Sequence, residues 1–200
     1  MTPQAEPFAE SILDLFRATG AYLNGHFRLT SGLHSPAYLQ CALVLQHPRH
    51  AEKLGGLLAD ELRKLVPEQV GLVVSPALGG LIIGHEVARA LGARFIFTER
   101  GEDKKMTLRR GFAVTPGEPA LVVEDVITTG GSTRDVVDAL RAAGARPLAA
   151  GSIVDRSGGG ADVGVPRVAL VTLEVVAYDP AECPLCAQGV PAVKPGSRPG

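Results

Sequence analysis

Apolar residues recur at helical spacing near the start of the chain and again after residue 48, then give way to short apolar runs alternating with helical ones. The spacing predicts a helix over about Pro7–Thr19, with Ile12, Leu13, Leu15 and Phe16 on one face and Gly20 as its stop. Two short extended segments follow, around Phe27–Leu29 and Tyr38–Leu45. Pro48 opens a second helix, in which Ala51, Leu54, Leu58, Leu62 and Leu65 recur on one face until Pro67 ends it. Beyond it the pattern becomes strand, turn and helix, repeated. Val70–Val74 is a short apolar run, Ser75–Gly80 a turn, and Leu81–Leu91 a helix with Gly92 behind it. Arg94–Thr98 reads as a strand, and the charged, aperiodic Glu99–Gly111 as a loop. Ala120–Val123 is a buried strand, Thr128–Gly131 a turn and Thr133–Ala143 a helix closed by Gly144. Pro147–Val154 and Val168–Leu173 complete the strands, and Gly189–Gly200, with Pro191, Pro195 and Pro199, is an irregular tail. Such alternation predicts an α/β fold with a mostly parallel sheet covered on both faces.

Composition narrows the class. A chain of 200 residues fills a single domain, with room for a small N-terminal lobe over about residues 1–45. Twenty basic and 21 acidic residues leave a formal net charge of −1, so no global field draws the protein to nucleic acid or an anionic membrane. Any anion site is local. No apolar run approaches the ~18 residues of a membrane span. Met1–Glu10 has acidic residues and no basic ones, without a signal-type apolar core, so a cytoplasmic protein is expected. Cys41 stands alone in an apolar stretch, as a small core residue does. Cys183 and Cys186 form a CxxC pair with no second CxxC or His pair beside them, and a structural zinc normally needs four ligands. The ligand count therefore argues against a metal there.

Candidate chemistry concentrates in one segment. The strand ending Leu121-Val122-Val123 runs into Glu124 and Asp125, then through Val126 and Ile127 into a turn of Thr128, Thr129, Gly130, Gly131, Ser132 and Thr133 that opens a helix. Gly130 and Gly131 allow turn conformations that side chains forbid. The hydroxyls, with the unpaired amides and positive dipole end of the helix, make a cradle for a phosphate monoester. Ser132 with Asp135 fits a helix-start signature. Two carboxylates beside a phosphate would repel it unless they bind ribose hydroxyls or a magnesium ion. A ribose 5-phosphate pocket satisfies both requirements.

This string resembles the motif by which type I phosphoribosyltransferases bind phosphoribosyl pyrophosphate (PRPP), and Glu-Asp-Val-Ile-Thr-Thr-Gly-Gly-Ser is similar to its form in orotate phosphoribosyltransferases. The likeness extends over roughly Phe8–Arg156. It implies the type I phosphoribosyltransferase fold with a small N-terminal hood. The implied reaction is transfer of phosphoribose from PRPP to orotate, giving orotidine 5′-monophosphate and pyrophosphate in pyrimidine biosynthesis. Mg²⁺ held mainly by PRPP, rather than by dedicated protein ligands, is the implied cofactor.

Other segments divide between ordinary and functional readings. Ser75-Pro76-Ala77-Leu78-Gly79-Gly80 is either a common strand–helix turn or, in the resemblance, the pyrophosphate loop, with Ser75, Ala77 and Gly79 as contacts. Two anion sites across the carboxyl ends of a parallel sheet suit a molecule with phosphate at one end and diphosphate at the other. Glu99–Gly111 is either a solvated charged loop or the family's basic loop, which closes over the neighbouring subunit's site and implies a homodimer. In that case Arg100, Lys104 and Lys105 are the catalytic cations, together with Asp125. The chain reads Met-Thr-Leu-Arg-Arg-Gly-Phe where many relatives carry a Lys and His pair, which leaves open which cation is essential.

For the base, the resemblance assigns Thr128 and Arg156 to orotate, whose carboxylate suits a guanidinium. Leu29–Tyr38 resembles the hood segment; Tyr38 either stacks on the base or faces the core. The rivals are a purine phosphoribosyltransferase and a PRPP-sensing regulator on the same fold. The second would carry a winged-helix extension or a basic face, and neither is found.

Overall fold

A computed structural model describes residues 5–29, 32–103, 105–173 and 176–194. The chain divides into two compact units, Met1–Val44 with Glu174–Gly200, and Leu45–Leu173. Among the described residues no helix is long and apolar enough to cross a membrane.

The first unit contains helix α1 (Ala5–Ala18) and an antiparallel hairpin of β1 (Tyr22–Arg28) and β2 (His34–Leu39). Ile12 and Phe16 are buried, as the helical spacing requires. Register in the hairpin shifts between Asn24 and Phe27, so Gly25 and His26 sit at an irregularity. The chain after residue 175 returns to this hairpin. Tyr178 pairs with His34 and Val193 with Phe27, around a short 3-10 turn (Pro180–Glu182) and a one-turn helix (Pro184–Ala187).

Where an extended segment over Tyr38–Leu45 is expected, the strand stops at Leu39 and Cys41–Leu45 forms α2. Its buried residues are Cys41, Val44 and Leu45, the i, i+3, i+4 spacing of a helix face. A run this short does not by itself separate the two periods.

The second unit opens with α3 (Pro48–Leu65), which has Pro48 in its first turn and buries Ala51, Leu54, Leu58 and Leu62. Leu65, counted on that face from the sequence, is exposed. The unit then alternates β3 (Leu72–Pro76), α4 (Gly80–Leu91), β4 (Arg94–Arg100), β5 (Met106–Leu108), β6 (Pro119–Ile127), α5 (Gly131–Ala142), β7 (Arg146–Asp155) and β8 (Arg167–Thr172). The sheet order is β5-β4-β3-β6-β7-β8, parallel except for the edge strand β5. Successive residues of a strand point to opposite faces. Leu72, Val74, Ala120, Val122 and Ala150 thus join Val136, Val137 and Leu140 of α5 in one core. Gly151, one residue on from Ala150, abuts Leu58 and Leu62 of α3 on the other face.

Glu99–Gly111 is not the structureless loop its charge suggests. β4 runs on to Arg100 and pairs with β5 through Thr98–Leu108, Glu99–Thr107 and Arg100–Met106. Met106 is buried, Phe97 meets Phe112 edge to face, and Arg110 forks onto Glu99. Tertiary packing of these few apolar residues outweighs the polar average of the segment.

Candidate active site

β3 continues through α4 to β4 on one side, while β6 lies on its other side and continues through α5 to β7. Strand order therefore reverses between β3 and β6, and open parallel sheets leave a crevice at the carboxyl ends flanking such a reversal. Both glycine-containing turns lie there. β3 pairs with β6 through Leu72–Ala120, Val73–Leu121 and Val74–Val122, and Glu124 and Asp125 follow on the longer strand.

The turn after β6 is held by Gly130, whose φ of 81° lies in the left-handed region. A methyl group there would also come within 2.9 Å of Val163. α5 begins at Gly131, two residues before the expected Thr133. Ser132 accordingly lies inside the first turn and does not cap the helix through Asp135. Instead Arg100 bridges both, its Nη2 donating to Ser132 Oγ at 2.9 Å and its Nη1 lying 3.4 Å from Asp135 Oδ2. Thr128 and Thr129 are exposed. The Ile127 side chain is buried in the core below α5, and its carbonyl accepts from the Arg156 amide at 2.8 Å. Arg156 and Thr128 are thereby neighbours at the ends of β7 and β6.

The paired carboxylates are half-buried. Burial pushes Glu124 up to about 7; Asp125 adds to the rise, while a hydrogen bond from the Thr133 hydroxyl and the charge of Arg100 oppose it. Burial also raises Asp125, against the amide of Val126, which donates to its Oδ1 at 2.9 Å. Two adjacent acids disfavoured as anions at the carboxyl end of the sheet make this pair a candidate ligand site.

Across the crevice, the turn after β3 is pinned by the Ala77 amide, which donates to the Thr98 carbonyl at 2.9 Å. An anion at this turn would be met by the amides that follow, at the start of α4. The Ser75 side chain is fully buried beneath the turn rather than open to it. A methyl on Gly84 of α4 would come within 2.0 Å of Ser75 Oγ. Gly79 lies against Asp125, whose carboxylate a side chain at this position would displace.

Lys105 and Arg109 are exposed on the β4–β5 hairpin, whose turn is closed by Gly101 donating to the Lys105 carbonyl at 2.9 Å. Lys104 lies outside the described residues. Tyr38 belongs to the hairpin of the first unit, opposite Leu23 and 5.8 Å from the Phe27 ring. The second unit also has a cavity of about 300 Å³ at the amino-terminal end of the sheet, lined by residues including Leu62, Val66, Val70 and Leu91. It holds none of the candidate residues.

Asp135 is the residue the sequence placed in a different role. Its spacing from Ser132 was the only local signal, and it pointed to a helix cap.

The family model "Phosphoribosyl transferase domain" matches residues 42–174. The chain is 56% identical over 190 residues to the orotate phosphoribosyltransferase of Pelotomaculum thermopropionicum, covering 94% of this chain and 97% of that one. It is 54% identical over 189 residues to the orotate phosphoribosyltransferase of Desulforamulus reducens, with the same coverages of 94% and 97%. The crystal structure of orotate phosphoribosyltransferase from Aeropyrum pernix superposes with a TM-score of 0.66 at 24% identity, over 82% of this chain and 94% of that one, a likeness of fold. By sequence over nearly its whole length, and by a fold that sets two glycine-containing, helix-opening turns on either side of the sheet reversal, the chain belongs to the phosphoribosyltransferase family, among the orotate phosphoribosyltransferases.

Proposed function

We propose that this protein transfers the 5-phosphoribosyl group of PRPP to orotate, releasing pyrophosphate and forming orotidine 5′-monophosphate for pyrimidine biosynthesis. The observation that carries this reading is the placement of Glu124 and Asp125 at the reversal, between two turns that each open a helix.

The turn Thr128–Ser132 takes the 5-phosphate on its hydroxyls, on the amides of Gly130 and Gly131 and on the positive end of α5. Glu124 and Asp125 accept hydrogen bonds from the ribose hydroxyls, with Val126 and Ile127 setting their height above the sheet. The amides around Gly79, following Ala77 and the buried Ser75, face the pyrophosphate. Arg156 forks onto the orotate carboxylate beside Thr128, and Tyr38 supplies an aromatic surface for the base.

Magnesium fits this donor set, because a hard cation takes oxygen ligands and relieves two acids that burial disfavours as anions. Bound with PRPP, it would neutralise diphosphate charge, with Glu124 and Asp125 as the residues able to hold it or its waters. The bond from ribose C1 to pyrophosphate breaks, and the base nitrogen attacks the opposite face with inversion, so no protein nucleophile is required. The chain contributes position and positive charge. Arg100 stands over the start of α5, so its charge bears on the sugar-phosphate end, while Lys105 on the hairpin, with Lys104 before it in the sequence, meets the departing pyrophosphate of a neighbouring subunit in a homodimer.

Incubation with PRPP, Mg²⁺ and orotate should yield orotidine 5′-monophosphate, and replacing orotate by uracil, adenine, guanine or xanthine should yield little nucleotide. Faster turnover of a purine would replace this reading by that of a purine phosphoribosyltransferase.

A further inference from the structure

The ligand count that spoke against a metal at Cys183 and Cys186 is completed by the fold of the first unit. His26, at the irregularity of β1, and His34, at the start of β2, turn inward towards the two cysteines brought back by the C-terminal segment. The four ligand atoms all lie within 4.8 Å of one another. Cys183 Sγ is 3.4 Å from His26 Nε2, and Cys186 Sγ is 3.8 Å from His26 Nε2 and 3.3 Å from His34 Nδ1. The two ring nitrogens are 2.8 Å apart.

Tetrahedral zinc, with bonds of about 2.0–2.1 Å to nitrogen and 2.3 Å to sulfur, sets neighbouring nitrogen and sulfur ligands roughly 3.5 Å apart. The three sulfur–nitrogen separations scatter around that spacing, and the imidazoles need to part by only about half an ångström.

Two further features suit a metal better than a chance cluster. His26 Nδ1 lies 2.6 Å from the Val190 carbonyl, which can only accept, so the ring proton sits on Nδ1 and the Nε2 lone pair points into the cluster. This is the carbonyl partner that metal-bound histidines use to fix their tautomer. Both cysteines are free thiols, and His26, His34 and Cys183 are buried. A hydrogen bond between the two imidazoles would explain their approach, but not two thiols converging on the same point.

We propose that His26, His34, Cys183 and Cys186 bind one Zn²⁺ ion as a structural site. Four protein ligands close the coordination sphere and leave no position for substrate, so the ion is separate from the transfer chemistry. Its role is to staple the returning C-terminal segment to the hairpin. Among the described residues, that junction also carries short backbone pairings at His34–Tyr178 and around Phe27–Val193. A small unit with a limited apolar core is where a metal adds most stability.

The test uses the full chain, free of any histidine tag. Elemental analysis should find about one zinc per chain. Replacing zinc by cobalt should produce the visible absorption of a tetrahedral site with two thiolates, and a strong chelator should lower the melting temperature by several degrees. Cys186→Ser is the informative variant, because Cys186 is exposed and its loss removes little packing. It should fold, lose most of the zinc, and melt at the same temperature with or without chelator. Thiol titration of the parent should find Cys183 and Cys186 protected until the metal is removed. A folded parent chain that neither contains nor takes up micromolar zinc would overturn the site, as would a Cys183–Cys186 disulfide in the freshly isolated protein.

Discussion

A methyl group added to Gly79, in the turn after β3, would lie 2.6 Å from Oδ1 of Asp125 at the end of β6. The backbone of Gly79 is ordinary right-handed helical, with φ −57° and ψ −41°. Space rather than conformation is therefore what a side chain here would contend with, and the Asp125 carboxylate would have to give way. The two turns proposed to hold opposite ends of PRPP thus touch through the bare Gly79 and the Asp125 side chain.

Gly79→Ala should consequently displace Asp125 or the turn itself. A misplacement of about 1 Å at a reacting centre costs on the order of a hundredfold in rate. Steady-state kinetics with PRPP and orotate should show a loss of that order in kcat/KM, with the melting temperature nearly unchanged. Retained activity would mean that Asp125 and this turn do not act on one substrate.

Glu124 makes stability depend on pH in the ligand-free protein. Its folded value of about 7 exceeds the ordinary 4.5, so the folded chain binds this proton more tightly than the unfolded chain does. The stabilisation is complete below about pH 4.5 and is lost as pH rises through 7. Gln at this position cannot ionise and can still accept from Thr133. Glu124→Gln should therefore melt higher than the parent above pH 7, and the two curves should converge near pH 5. Parallel curves across this range would show that Glu124 is not raised.

Arg100 reaches Ser132 and Asp135 in its own chain, which places its charge at the start of α5, the end proposed to take the 5-phosphate. A charge-assisted hydrogen bond contributes about 1.5–3 kcal/mol, or roughly ten- to a hundredfold in binding. Arg100→Ala should raise KM for PRPP by a factor in that range as well as slowing turnover, with little change in KM for orotate. Arg100→Lys should recover part of the loss. A pure kcat effect would instead put the side chain on the leaving group.

The Arg156 amide donates to the Ile127 carbonyl, a backbone contact that does not depend on the side chain. Arg156→Ala should raise KM for orotate tenfold or more while leaving KM for PRPP near the parent value, measured by varying each substrate in turn. Equal rises in both would indicate that the side chain supports the turn rather than the base.

The strand–turn–helix units of the second half were legible because each signal is contiguous. Val70–Val74 and Ala120–Val123 read as buried strands, and each was followed by glycines and an apolar helix face. Both strands run further than their apolar cores, to Pro76 and Ile127, since carboxylates and a proline at a strand's end do not look like strand. The β4–β5 hairpin was hidden for a similar reason. Its charges dominate the local average, while Met106 and Phe112 find their partners only across the sheet edge.

By itself the sequence determined the α/β alternation, the hydroxyl- and glycine-rich turn with its two acids, and the family resemblance, because these depend on residues close together in the chain. Only the tertiary structure decided that Gly79 abuts the Asp125 carboxylate, that Arg100 rather than a helix cap engages Ser132, and that two histidines near the start meet two cysteines near the end. Those relationships depend on which strands pair and where the chain returns, and such pairing is a property of the packed core rather than of any local run of residues.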